Sequence, residues 1–378
     1  MKSNRTLTMI DLFCGTGGFA EGFLKSKSSY KLLYAIDADR VASETTRANH
    51  TKARVDHGDI RKVDIKGIQK DLGVSEVDLI IGGPPCQGFS SLRPNRSSKI
   101  ADERNNLFSY YVKFVKSFHP KVFILENVVG LATHDKGNTL EIIIDAFTNL
   151  GYSVDWKILN AASFGVPQKR ERLIMIGSRN NGPISFPKPM YQFNGRAIGY
   201  RDKSRVLLAN KSTKLALTVN DAIGDLPILD RGGLIGSYDQ APLNNYQKER
   251  RAKSNLLTLH KAANHSDKMM EVIRHSGDNI TCIPSHLITS GFSSCYSRLN
   301  GDEPSTTITV KFQSPASSKC IHPEQHRTIT PREAARIQSF NDDYIFKGSL
   351  TQIASQLGNA VPPLLGRALS NSMSKHLV

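Results

Sequence analysis

The chain has 378 residues, a length that predicts about two domains, and its 39% hydrophobic content supports a sizeable core. No N-terminal basic-then-apolar stretch reads as a signal peptide, and no apolar run approaches the roughly 18 residues a membrane span needs, so a soluble, cytoplasmic chain is expected. Cys14, Cys86, Cys282, Cys295 and Cys320 are odd in number and form no Cys-x-x-Cys pair, which argues against a disulfide framework and predicts no metal centre. The net charge of +16 is spread along the chain, and fits either a well-solvated surface or a long polyanion lying across the protein.

Residues 7 to 178 alternate apolar strands with helical runs. Strands are predicted at Leu7–Phe13, Leu32–Asp37, Ala53–His57, Val77–Gly82, Lys121–Glu126, Ser153–Leu159 and Arg172–Gly177, and helices at Arg40–His50, Asn105–Phe118 and Thr139–Leu150. This alternation predicts an α/β, doubly wound parallel sheet whose ligands bind at the carboxyl ends of its strands.

The first strand runs into Asp11-Leu12-Phe13-Cys14-Gly15-Thr16-Gly17-Gly18-Phe19 and then a helix. Glycines at 15, 17 and 18 are expected to let the backbone approach a ligand closely. The second strand ends at Asp37, where a carboxylate can hold ribose hydroxyls, and a third loop offers Asp59 and Ile60 to an adenine. Together these predict an adenosine-containing cofactor. The glycine spacing is not Gly-x-Gly-x-x-Gly, which disfavours a nicotinamide dinucleotide.

The fourth strand delivers Gly83-Pro84-Pro85-Cys86-Gln87-Gly88-Phe89-Ser90. A cysteine after two rigid prolines at a strand's carboxyl end is placed to act as a nucleophile, although a lone cysteine is more often a small buried hydrophobe. The fifth strand ends in Glu126-Asn127-Val128, one strand over in the simplest order, so a thiol and a carboxyl are expected to face one pocket. Further on, Gln168-Lys169-Arg170-Glu171-Arg172 puts two arginines on one side of an extended backbone, where they can form surface salt bridges or hold a base and its phosphate.

From about Gly182 to 326 the periodicity dissolves into Gly, Pro, Asn and Ser with basic clusters such as Lys248–Lys253, and the tail from Ser349 turns helical and apolar. The expected division is a cofactor-binding unit of 1–181 with 345–378, and a smaller irregular unit of 182–344.

These residues resemble the DNA (cytosine-5)-methyltransferase family, in the family's order. The match comprises the Phe-x-Gly-x-Gly-Gly loop, Pro-Cys-Gln, Glu-Asn-Val, Gln-Lys-Arg-Glu-Arg, Arg327-Thr328-Ile329-Thr330-Pro331-Arg332-Glu333 and Gly358-Asn359-Ala360-Val361-Pro362-Pro363. One departure is Asp37, where relatives usually carry Glu. The resemblance implies a Rossmann-like sheet binding S-adenosyl-L-methionine, released as S-adenosyl-L-homocysteine, through Asp11, Phe13, Gly15, Gly17, Gly18, Phe19, Asp37, Asp59, Ile60, Pro85, Asn359 and Val361. It implies Cys86 as a thiolate adding to carbon 6 of a flipped cytosine, Glu126 at ring nitrogen 3, Arg170 as the cation favouring the thiolate, and Arg172 with Asn359 as orienters.

The same resemblance makes residues 182–344 a target-recognition domain for double-stranded DNA, with 289–299 as its reading element. Gln87, Ser90, Arg93, Arg96, Arg104 and Arg298 are expected at the DNA, the first five on a loop, Gln87–Arg104, that closes over it. It further suggests a bacterial or phage enzyme, associated with the nucleoid, acting as a monomer, and paired with a restriction endonuclease for the same site. The competing readings are tRNA methylation, whose Cys-Phe-Thr signature is absent, a DNA-binding regulator with a dead site, and a dehydrogenase.

Overall fold

The computed structural model describes residues 5–85, 107–180, 182–194, 200, 202–210, 213–288 and 291–377. Strands β1 (Leu7–Leu12), β2 (Tyr30–Asp37), β3 (Arg54–His57), β4 (Leu79–Gly82), β5 (Val122–Asn127), β6 (Ser153–Asn160) and β7 (Glu171–Ser178) form one sheet in the order β3-β2-β1-β4-β5-β7-β6. All seven expected strands are present, with ends shifted by one or two residues.

β1 to β5 are parallel to one another, but β7 runs antiparallel to both β5 and β6. The expected all-parallel sheet is therefore corrected to a mixed one. The reason is that the connection between β6 and β7 is short, too short for the crossover a parallel pair requires. The consequence is functional: the amino end of β7 lies at the same sheet edge as the carboxyl ends of β1, β2, β4 and β5.

Helices cover both faces. On one side lie α3 (Ile65–Leu72), α4 (Leu107–Phe118) and α5 (Asn138–Thr148), which bury Ile68, Phe114, Phe118, Ile143 and Phe147 against Ile80, Phe123 and Met175. The apolar spacing of α4 places Tyr111, Phe114, Val115 and Phe118 on one face, as helical periodicity requires. On the other side lie α1 (Gly18–Leu24), α2 (Arg40–Asn49), α10 (Leu350–Asn359) and α11 (Pro363–Leu377). α1 and α11 meet so closely that a Cβ on Gly22 would lie 2.2 Å from the Pro363 carbonyl oxygen.

Beyond β7 the chain holds two-residue strands β8 (Tyr191–Gln192) and β9 (Lys214–Leu215), short helices α6 (Val219–Ile223), α7 (Asn245–Arg251) and α8 (Asp267–Arg274), and α9 (Pro331–Ile337). Its apolar residues, among them Val219, Ile223, Tyr246, Leu257, Ile308 and Ile337, join the cluster that packs α1 and α11 onto the sheet. The second region thus shares a core with the first. α9 starts on a capping box, Thr330 with Glu333, with Pro331 in its first turn. Among the described residues, no helix is long and apolar enough to cross a membrane.

Candidate active site

A cleft of about 520 Å³ opens at the sheet edge where these strand ends converge. From β1 it takes Asp11, from the loop after it Phe13 and Gly15, and from α1 Phe19. From β2 it takes Asp37, and from the loop after β3, Asp59 and Ile60. β4 contributes Pro85, β5 contributes Glu126, the start of β7 contributes Arg170 and Arg172, and the end of α10 contributes Asn359 and Val361. Residues from both ends of the sequence therefore face one space.

Two expected cofactor residues do not line it. Gly17 is the left-handed residue before α1, and a Cβ there would lie 2.7 Å from His50 Nε2. Gly18 packs inward, where a Cβ would meet the Val361 carbonyl oxygen at 2.6 Å. Both glycines serve close packing behind the loop. Gly15 is the one that faces the ligand space, and a Cβ there would have nothing within 4 Å.

The cofactor end is acidic. Asp11 is buried, its Oδ2 has no hydrogen-bond partner, and burial followed by the nearby Asp37 pushes its pKa well above the ordinary carboxyl range. Asp37 accepts the Gly15 and Asp39 amides, each at 2.8 Å, and burial raises its pKa as well. Asp59 lines the cleft but its carboxylate is held by Arg61, two residues on, at 2.8 Å. Two partly desolvated carboxyls, one with an unengaged oxygen, suit a ligand that carries both hydroxyl donors and positive charge. S-adenosylmethionine, with ribose hydroxyls, a sulfonium and an ammonium, has that chemistry.

At the other end, Glu126 Oε1 sits 2.8 Å from Arg172 Nε. Gly83, just before the two prolines, approaches so near that a Cβ would lie 3.0 Å from Glu126 Oε2. Asn127 Nδ2 donates to the Pro84 carbonyl at 3.1 Å, tying the ends of β4 and β5 together. The motif Glu-Asn-Val alone suggests no role for this asparagine, and the bond gives it one. Arg170 is fully buried, donating to the carbonyls of Gly358 at 3.1 Å and Ile308 at 3.5 Å. Burial, then repulsion from Arg172, holds its pKa well below the usual guanidinium range.

Cys86, Gln87, Ser90, Arg93, Arg96 and Arg104 lie outside the described residues. Arg298 is a correction. Its guanidinium donates to the carbonyls of Ser276, His322, Gln325 and Ile273 and to His326 Nδ1, at 2.7 to 3.1 Å. All five N–H donors are engaged inside the protein, so none is left for a phosphate or a base. Within 291–299 the residues divide: Gly291 to Ser294 are exposed, with Phe292 at 82%, while Cys295, Ser297 and Leu299 are buried. No cluster of His, Cys, Asp and Glu able to hold a metal occurs among the described residues.

An α/β sheet with an acidic cleft at its strand ends, beside a carboxylate–arginine pair, has the chemistry to suit a group-transfer enzyme with an adenosine-containing cofactor. The model of the C-5 cytosine-specific DNA methylase family matches residues 7–375. The chain is 35% identical to the type II methyltransferase M1.HphI of Haemophilus parahaemolyticus, over 98% of this chain and 87% of that one. It is 36% identical to M.DdeI of Desulfomicrobium norvegicum, over 97% and 88%. The fold matches a prophage-encoded protein of Escherichia coli described as a DNA modification methyltransferase, with TM-score 0.76 and 23% identity over 98% and 99% of the two chains. The chain belongs to the C-5 cytosine-specific DNA methylase family, and it is a DNA (cytosine-5-)-methyltransferase that methylates carbon 5 of cytosine in DNA.

Proposed function

We propose that the chain methylates a cytosine flipped out of a specific double-stranded DNA sequence, through a covalent bond between Cys86 and carbon 6. The observation that carries this reading is the Glu126–Arg172 pair, set at the end of the strand next to the one that leads through Pro84 and Pro85 into position 86.

Carbon 5 of cytosine is a weak nucleophile because the ring is aromatic. Addition of the Cys86 thiolate to carbon 6 breaks that aromaticity and makes carbon 5 enamine-like. Glu126, oriented by Arg172, holds ring nitrogen 3 and delivers the proton that neutralises it as the adduct forms. When bound, S-adenosylmethionine supplies the electrophilic methyl group and leaves as S-adenosylhomocysteine. Loss of the carbon-5 proton to water then returns the electron pair that expels Cys86, and nitrogen 3 gives its proton back to Glu126. Arg170, a buried cation in the same wall, favours the thiolate over the thiol.

Asp11, Phe13, Gly15, Phe19, Asp37, Asp59, Ile60, Pro85, Asn359 and Val361 would hold the cofactor. None of this chemistry fits inside a base stack, so the target must leave the helix, at a cost of a few kcal/mol. Residues 182–344 would select the sequence, with the exposed 291–294 stretch as a reading element. Gln87, Ser90, Arg93, Arg96 and Arg104 would meet the backbone of the target. Similarity to type II methyltransferases supports a role as the protective half of a restriction–modification pair; the chain would act as a monomer.

The test is trapping. Duplex DNA carrying 5-fluorocytosine at the target cannot lose the carbon-5 proton, so with S-adenosylmethionine the wild type should give a denaturant-stable protein–DNA band, with Cys86 as the modified peptide. Cys86→Ser should give neither band nor methylation. Normal methylation by the serine variant, or no trapped wild-type complex, would defeat the reading.

A further inference from the structure

The backbone of residues 13–17 is unusual. Phe13, Gly15 and Gly17 all adopt the left-handed region, at φ 57°, 52° and 77°. Phe13 has no glycine's licence for it, so surrounding structure must impose the shape. The result turns Gly15 toward the cleft and turns the carbonyls of Gly15 and Thr16 into the protein, where Thr16 is buried. A buried carbonyl needs a donor, and the loop's own backbone supplies none to these two among the bonds of this region.

Two hydroxyls supply them. Thr46 Oγ1, on α2, donates to the Gly15 carbonyl at 2.8 Å, and the Tyr344 hydroxyl donates to the Thr16 carbonyl. Both side chains are buried, and neither lines the cleft. Tyr344 is wedged from below: a Cβ on Gly17 would lie 3.1 Å from its hydroxyl, and its ring packs against Phe340 and Phe346 with centroids 4.8 and 5.3 Å away.

The two donors belong to one assembly. Asn49, one turn along α2, exchanges hydrogen bonds with the backbone of Ile345 at 2.7 and 2.9 Å, and Thr45 Oγ1 accepts the Lys347 amide at 2.9 Å. α2 is thereby fastened to the 344–347 segment, and the pair together grips the loop.

We propose that Thr46 and Tyr344 are positioning residues for the cofactor: by donating to the carbonyls of Gly15 and Thr16 they hold the 13–17 loop in the backbone shape that presents Gly15 to the ligand. This rests on the cofactor reading above. The loop is bound only by what it touches, so removing a hydroxyl relaxes it and weakens cofactor binding while leaving the Glu126 end of the cleft unchanged.

The full chain carrying Thr46→Val or Tyr344→Phe keeps shape and loses one donor. By calorimetry with S-adenosylhomocysteine, each should raise Kd about tenfold, the scale of one hydrogen bond lost with a buried acceptor left behind. Thr46→Ser, which restores a hydroxyl, should bind within about twofold of wild type, a small part of that hydrogen-bond effect. In parallel, KM for S-adenosylmethionine should rise with kcat at saturation and DNA affinity unchanged, and amide exchange should quicken at residues 13–17. Unchanged Kd and unchanged exchange in both variants would overturn the proposal. So would a fall in kcat and melting temperature that Thr46→Ser fails to rescue, since that marks general damage. A wild-type chain that did not bind S-adenosylhomocysteine would sink the cofactor reading and this proposal with it.

Discussion

Arg170 and Arg336 are both wholly buried, yet they sit in opposite electrostatic settings. Arg336, on α9, donates to Asp342 at 2.6 and 2.7 Å, to Asp225 at 2.9 and 3.4 Å and to the Ala222 carbonyl at 3.0 Å. Burial alone would lower its pKa, but the two carboxylates more than offset that and raise it. Arg170 has two carbonyl partners and an Nε without any, and its pKa is pushed far down. Arg336 ties the second region to itself. Arg170 is a charge held at the wall of a cleft without a carboxylate of its own. Equal burial therefore says little about a guanidinium's role; the partner set decides it.

The comparison breaks most directly at Arg336. Arg336→Met leaves Asp225 and Asp342 as buried carboxylates with fewer cations, and unfolding in urea should show a loss of about 3–5 kcal/mol. A loss below about 1 kcal/mol would mean that Arg251 and Arg332, which also touch these carboxylates, suffice without it.

Acid should strain the same region next. His322 Nδ1 accepts the backbone amides of Glu324 and Gln325, both at 3.1 Å, so its neutral form is the one the fold accommodates. Burial lowers its pKa from 6.5 to about 4. The unfolded chain takes up this proton first, so the stabilisation is full above pH 6.5 and is lost as pH falls from 6.5 to 4, on the order of 3 kcal/mol in all. Glu333 acts at still lower pH: burial raises its pKa, but Arg327 at 2.6 Å brings it well below the carboxylate range. Urea midpoints taken across pH 4 to 7 check this, and His322→Gln should flatten the upper part of the slope.

Arg170→Met sharpens the contrast from the other side. It strands no carboxylate, because Glu126 keeps Arg172, but it leaves the Gly358 carbonyl without its donor, so stability should fall by only about 1–2 kcal/mol while kcat falls about a hundredfold. A variant that unfolded as Arg336→Met does would erase the distinction between the two arginines. The smallest effect is expected at Thr330, which caps α9 through the Glu333 amide at 3.2 Å; Thr330→Ala should cost about 1 kcal/mol in the same urea assay, with KM unchanged.

Much of the catalytic half was readable from local pattern. Short apolar runs marked β1, β2, β4, β5 and β7, since a strand buried on both faces must be apolar along its length, whereas the edge strand β3 buries only Val55. Asp37, Pro85 and Glu126 could be placed at strand ends because ligands gather there in such sheets. Gly17 and Gly18 escape such a reading for a physical reason. A glycine needed for close packing and one needed for ligand approach look identical in sequence, and only the neighbours, His50 and the Val361 carbonyl, tell them apart.

What the sequence by itself determined was the inventory: which strands form, which loops follow them, and which side chains carry reactive chemistry, all set by periodicity and residue type within a few positions. Only the tertiary structure decided the partners. β7 turns antiparallel and so brings Arg172 to Glu126, Arg298 is enclosed by carbonyls from 273 to 325, and Tyr344 reaches back to Thr16. Hydrogen bonds act over about 3 Å of space whatever the separation along the chain, so contacts between residues tens to hundreds of positions apart leave no trace in local pattern and exist only once the chain has folded.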